Sequence, residues 1–235
     1  SLWSLVSWCP PAAHSSTVTP AGPRHARTTD GNAAARAPVD PSMTAPLKVD
    51  IWSDIACPWC YIGKRRFEEA LVAFDATGAA RPVEIEYHSF ELAPDTPVDF
   101  DGSEVDFLAG HKGMPREQVA QMLGQMTEVA ASVGLSYDFD ALQHTKTLKA
   151  HELLHHAKAQ GVQGEMKERL LRAYFEEGRH LGRIDELVAL AAEVGLDAGT
   201  TRAVLESGEH AGDVAQDIAQ AQAYACPIDY VGLAA

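Results

Sequence analysis

Cys57, Pro58, Trp59 and Cys60 put two thiols two residues apart. At the start of a helix that spacing brings the sulfurs close enough to bond to one another, so the pair can cycle between dithiol and disulfide. A thiolate is the reacting species, and the first turn of a helix stabilises one through its unpaired N–H groups and the positive end of its dipole. Pro58 suits the first helical position, having no N–H to leave unpaired and a φ already set. Lys64, Arg65 and Arg66 add positive charge within about two turns. On this reading Cys57, nearer the exposed end, has a depressed pKa and attacks, while Cys60, on the packed face beside Phe67, resolves the mixed disulfide. Half of a metal site is the other chemistry open to such a pair. It needs a second pair or histidine partners, and Cys9 and Cys226 are isolated singletons. Neither a metal nor an organic cofactor is expected.

The elements around the pair must present it. Val49, Ile51 and Trp52 form a β-branched and aromatic run closed by Asp54, which predicts a strand. Cys60, Phe67, Leu71 and Phe74 then recur at helical spacing. Residues 82–88 alternate apolar and polar, predicting a second strand, and Pro94 and Pro97 break the pattern after it. His88, at that strand's end, is read as a packing or surface residue rather than a base. From Gly113 the period is helical. Val119, Met122, Leu123, Met126, Val129 and Val133 make a stripe ended by Gly134, and further helices are predicted over 141–160 and 165–177. Three more follow: one from a cap at Asp185 to Gly195, one over 200–207 behind Asp197, and a last over 213–224. Met114, Met122 and Met126 could line a groove, but core is the reading taken. His151 and His155 are four apart, a metal-ligand spacing without the carboxylate of a zincin helix. With His144 and His156 they are read as solvated or capping.

The segment IWSDIACPWCYIGKRRFEEAL, together with FELAPD at 90–95, EMKERLLRAYFEEGRHLG at 165–182 and LVALAAEVGLD at 187–197, resembles the FrnE-like branch of the DsbA family. The resemblance covers about residues 47–224. It implies an α/β thioredoxin-like fold carrying an inserted all-helical domain, and thiol–disulfide exchange on protein or small-molecule substrates, with Cys57 and Cys60 as the pair and Pro58, Trp59 and Lys64 in support. It also implies further strands and a cis-proline loop after the insert. Pro227 is the one proline beyond Pro115, and the residues after it are too few to build a hairpin and a helix. The C-terminal part of the sheet is therefore expected to be missing. The expected divisions are 46–98 for the N-terminal βαβ part, 99–212 for the insert and 213–235 for a return helix and an aberrant end.

A formal charge of −14 opposes nucleic acid or an anionic membrane as a main partner. No apolar run approaches a membrane span, and the protein is expected to be cytoplasmic. Residues 1–45 are rich in Pro, Ala, Ser and Thr without periodicity and read as a disordered extension, with Met43 as the natural start. Two other functions fit the sequence less well. A glutathione-dependent isomerase of the 2-hydroxychromene-2-carboxylate type typically has serine at the position of Cys57. A non-catalytic binding fragment would leave the cysteines idle.

Overall fold

The computed structural model describes residues 45–78 and 81–224. Strand β1 (Leu47–Ser53) runs into helix α1 (Pro58–Ala76), and β2 (Val83–Ser89) returns beside β1. The strands pair in parallel from Leu47 opposite Val83 to Ser53 opposite Ser89, a geometry that needs a crossover, which α1 supplies. Among the described residues the sheet has these two strands.

Seven helices follow: α2 (Glu104–Lys112), α3 (Arg116–Ala131), α4 (Leu148–Ala159), α5 (Gln163–Phe175), α6 (Ile184–Glu193), α7 (Ala198–Ser207) and α8 (Ala211–Ala223). Helix α4 packs against α5, α6, α7 and α8, so nearly every face of it is covered. Leu153, Leu154, Met166, Leu170, Leu171, Tyr174 and Leu187 fill the core around it, and the same core reaches Ile55, Tyr61 and Ile62 at the start of α1. Helix α8 comes back to β2. The α/β thioredoxin-like architecture with a large helical portion is therefore present.

Several boundaries differ from those predicted, each for a local reason. Helix α2 was not predicted, although Ser103 and Asp106 form a capping box at its start. Residues 141–147 are irregular rather than helical. Asp138 takes the N–H groups of Asp140 and Ala141 at 3.1 and 2.9 Å in a local turn, and Thr145 donates its hydroxyl hydrogen to the distant Val98 carbonyl, so these bonds compete with a helix. Asp185 lies in the first turn of α6, whose N-cap is Arg183, whereas Asp197 does cap α7 through the Thr200 N–H. Gly178 closes the turn after α5 at φ +61°, where a Cβ would also meet the Ala141 carbonyl oxygen at 2.6 Å. Among the described residues no helix is long and apolar enough to cross a membrane. Cys9, Met43 and residues 1–44 generally, with Cys226 and Pro227, lie outside the described residues.

Candidate active site

Cys57 is the N-cap residue of α1, with extended backbone at φ −94° and ψ 111°, and Pro58 opens the helix. The Cys60 N–H donates to the Cys57 carbonyl at 3.0 Å. Both thiols are free. Tyr137, from the segment after α3, donates its hydroxyl hydrogen to the Pro58 carbonyl at 2.7 Å and so ties the helical portion onto this first turn. That cover makes Cys57 the more enclosed of the two, at 5% exposure, while Cys60 is half-buried. The sequence expectation was the reverse.

The charge distribution is also the reverse of the one expected. Hydrogen bonding to Cys60 pushes the Cys57 thiol well up, burial pushes it further, and the Asp54 carboxylate adds to both. The same bond holds Cys60 below the usual thiol range. Burial opposes this, and the Lys167 ammonium and the Asp54 N–H assist it. Of the two thiols, Cys60 is thus the one held lower and Cys57 the one held higher.

Behind the pair lies a buried polar cluster that sequence reasoning missed. Asp54 is 3% exposed. Its Oδ1 accepts from Thr147 Oγ1 at 2.9 Å, from the Ala56 N–H at 3.2 Å and from His151 Nε2 at 3.2 Å, and its Oδ2 accepts from the Leu92 N–H at 2.7 Å. Burial alone would raise this carboxyl, but the His151 bond and charge and the two backbone donors hold it below its ordinary value. Lys167 is 1% exposed, with Nζ 3.5 Å from the Ser53 carbonyl, and burial pushes its pKa down while the thiols and Asp54 pull it back. A signal for it existed. Lys167 shares the i, i+3, i+4, i+7 face of α5 with Leu170, Leu171 and Tyr174, where a charge has no solvent to reach.

Lys64 was expected on the wet side, lending charge to the thiolate. It is 8% exposed, and Glu168 and Glu68 take up its ammonium. Trp59 is half-buried against the core and, with Ala56 and Pro58, lines a cavity of about 360 Å³ that Met122 and Met126 also border. His144, His151 and His156 are buried, not solvated, because α4 and the segment before it are enclosed by their neighbours. His155 pairs with Asp217. His88 stacks on Trp52 at 4.4 Å and is bonded to Asp217 and Asp50 at 2.9 and 3.1 Å, on the sheet beside α8. Asp50, Glu86 and His88 could offer a metal three ligand atoms within 4.8 Å of one another, although Lys158 pairs with Glu86 there.

The DSBA-like thioredoxin domain model matches residues 48–227. Over 169 residues the chain is 32% identical to the uncharacterised protein YwbO of Bacillus subtilis, covering 70% of this chain and 74% of that one. A probable DsbA oxidoreductase of Streptomyces coelicolor, whose crystal structure is known, superposes with a TM-score of 0.71 at 37% identity, over 77% of this chain and 76% of its own. A 2-hydroxychromene-2-carboxylate isomerase superposes at 0.56 with 15% identity, over 74% of this chain and 79% of its own, a likeness of fold alone.

Proposed function

The chain belongs to the DsbA-like thioredoxin-domain family of thiol–disulfide oxidoreductases, and from that premise we propose that Cys57 and Cys60 are its reacting pair. The observation that carries this reading is the pair of free thiols on the first turn of α1, Cys57 as its N-cap and the Cys60 N–H on the Cys57 carbonyl at 3.0 Å, with Lys167 and Asp54 buried behind it.

In the oxidised enzyme a substrate thiolate attacks Cys57 Sγ. The bond between the two cysteines breaks, and its electron pair leaves on Cys60 Sγ. A low thiol pKa makes a good leaving group, and Lys167 with the Asp54 N–H supplies that here. A second substrate thiolate then attacks the substrate sulfur of the mixed disulfide and releases Cys57. The enzyme ends reduced by two electrons and the substrate pair joined. In the other direction Cys57 gives its proton to the Cys60 sulfur, attacks one sulfur of a substrate disulfide as the thiolate and expels the other, which takes up the proton as Cys60 gives it back. Cys60 then attacks Cys57 Sγ and expels the substrate sulfur held there. Both directions use Cys57 as the sulfur that bonds substrate and Cys60 as its partner. Pro58 and Trp59 shape the approach; Lys64 belongs to the α1–α5 contact instead.

The test is a trap. Cys60→Ala should accumulate a mixed disulfide at Cys57 when treated with a substrate disulfide, detected by intact-mass spectrometry, and Cys57→Ala should accumulate none. A stable adduct on Cys60 in Cys57→Ala, with turnover retained, would reverse the assignment.

A further inference from the structure

Asp50 stands opposite Glu86 in the register of β1 and β2, and His88 is two residues further along β2. Side chains two apart on a strand share a face, so all three project from the same side of the sheet. His88 Nε2 lies 3.1 Å from Asp50 Oδ1 and 3.7 Å from Glu86 Oε1, and the ligand atoms of the three residues all lie within 4.8 Å of one another. Ligand atoms about 2.0–2.2 Å from a zinc ion at tetrahedral angles stand roughly 3.3–3.6 Å apart, so small side-chain rotations on a fixed backbone complete the set.

The imidazole is already posed as a ligand. Its Nδ1–H donates to Asp217 Oδ1 on α8 at 2.9 Å, Trp52 stacks on the ring at 4.4 Å between centroids, and the side chain is 11% exposed. With Nδ1–H committed to a carboxylate, Nε2 carries the lone pair and turns it towards two more carboxylates, an arrangement that a cation between them relieves. Three carboxylates therefore surround one ring, and the ammonium of Lys158 on Glu86 offsets one of them. Two further positive charges bring the group to balance. Lys158 is exposed and sits on a flexible four-carbon stem, so it can swing aside into solvent.

We propose that Asp50, Glu86 and His88 bind a divalent transition ion of the zinc class, with Asp217 holding the imidazole in place, and that the ion fastens α8 to both strands. A nitrogen ligand beside two carboxylates selects such an ion over magnesium or calcium, which take oxygen ligands. Three protein ligands leave the fourth position to water. No cysteine takes part, so the proposal stands or falls independently of the dithiol reading.

The experiment is a calorimetric titration with Zn²⁺ of the full-length protein carrying Cys57→Ser and Cys60→Ser, which keeps the paired thiols from competing for the ion. One equivalent should bind, and the thermal midpoint should rise with it. In the same background Asp50→Asn, Glu86→Gln and His88→Gln should each weaken binding about tenfold or more, and Asp217→Asn, which touches no ligand position, roughly 10–100-fold through the imidazole. Lys158→Met should tighten it about two- to fivefold, because a competing cation is gone. Should His88→Gln fail to fold, Asp50→Asn, at an exposed side chain, carries the test. No binding up to about 1 mM Zn²⁺ overturns the proposal. So does an affinity that Asp50→Asn and Glu86→Gln leave within about twofold, which would place the ion on other histidines of the surface.

Discussion

The reactive anion at this site belongs to two sulfurs. Cys57 is raised because it hydrogen-bonds Cys60, and Cys60 is lowered by the same bond, so the first ionisation is a property of the pair. Removing either partner should therefore move the survivor towards an ordinary thiol. Ultraviolet thiolate absorbance followed against pH should give the dithiol a lower first ionisation than either Cys57→Ala or Cys60→Ala. Lys167→Met should raise it, since a positive charge behind Cys60 is lost. A Cys60→Ala variant whose Cys57 ionises as readily as the intact pair would show that the helix N-terminus, and not the partner thiol, sets the charge. The identities Cys57, Pro58 and Cys60 were legible because chemistry and helix start coincide in one short stretch. The distribution of charge was not. It depends on the burial of the pair and on Lys167, which the fold brings to it from α5.

Helices α1 and α5 were legible from their apolar period, but not the polar contact between them. Glu168 on α5 accepts from the Tyr61 hydroxyl at 2.7 Å and from Lys64 at 2.6 Å, and it pairs with Arg65. Burial alone would raise its carboxyl, and the hydrogen bonds from Arg65, Lys64 and Tyr61 overcome burial to hold it at about 2. A carboxylate depressed on folding adds stability that is fully present above its unfolded value, about 4.3, and that is lost as pH falls through about 2. Glu168 is 30% exposed, so solvent screening reduces the effect, and we expect Glu168→Gln to cost roughly 1–2 kcal/mol at neutral pH. Urea melts of the two proteins should converge as pH is lowered from 4 towards 2. A gap that persists at the low end would mean that packing, not charge, holds α1 on α5. Helix α2 was missed for the opposite reason. Val105, Phe107 and Leu108 give too short an apolar pattern, and only Ser103 with Asp106 wrote its start into the sequence.

At the scale of the molecule, the arrangement of the elements in space was legible only through the resemblance to a known family, since periodicity says that a helix exists and not where it docks. The docking of α8 turns on Asp217, a residue with no motif around it. Its Oδ2 accepts from the Ser89 N–H at 2.7 Å and lies 3.1 Å from His155 Nε2, its Oδ1 accepts from His88 Nδ1–H at 2.9 Å, and its carbonyl accepts from Trp52 Nε1–H at 3.1 Å. One residue thus joins the end of the helical portion to β2 and α4 through its side chain and to β1 through its carbonyl. Asp217→Ala would leave the buried Ser89 N–H and the His88 Nδ1–H without their acceptor and take a carboxylate away from His155, a loss of about 2–4 kcal/mol. Asp217→Asn keeps an acceptor oxygen but removes the charge, and should cost less. Burial alone would lower His88, and the Asp217 and Asp50 carboxylates overcome it to hold this imidazole above its ordinary value. Stability from a raised histidine is present below its unfolded pKa and disappears as pH rises through the folded one. The gap between wild type and Asp217→Asn should therefore widen below about pH 6.5 and narrow in mild base. Hydrogen exchange at the Ser89 amide should accelerate in Asp217→Ala along with that loss. An unchanged denaturation midpoint with a protected Ser89 amide would mean that α8 is held on the sheet by its apolar contacts, Val214 foremost, and that Asp217 contributes nothing to the closure.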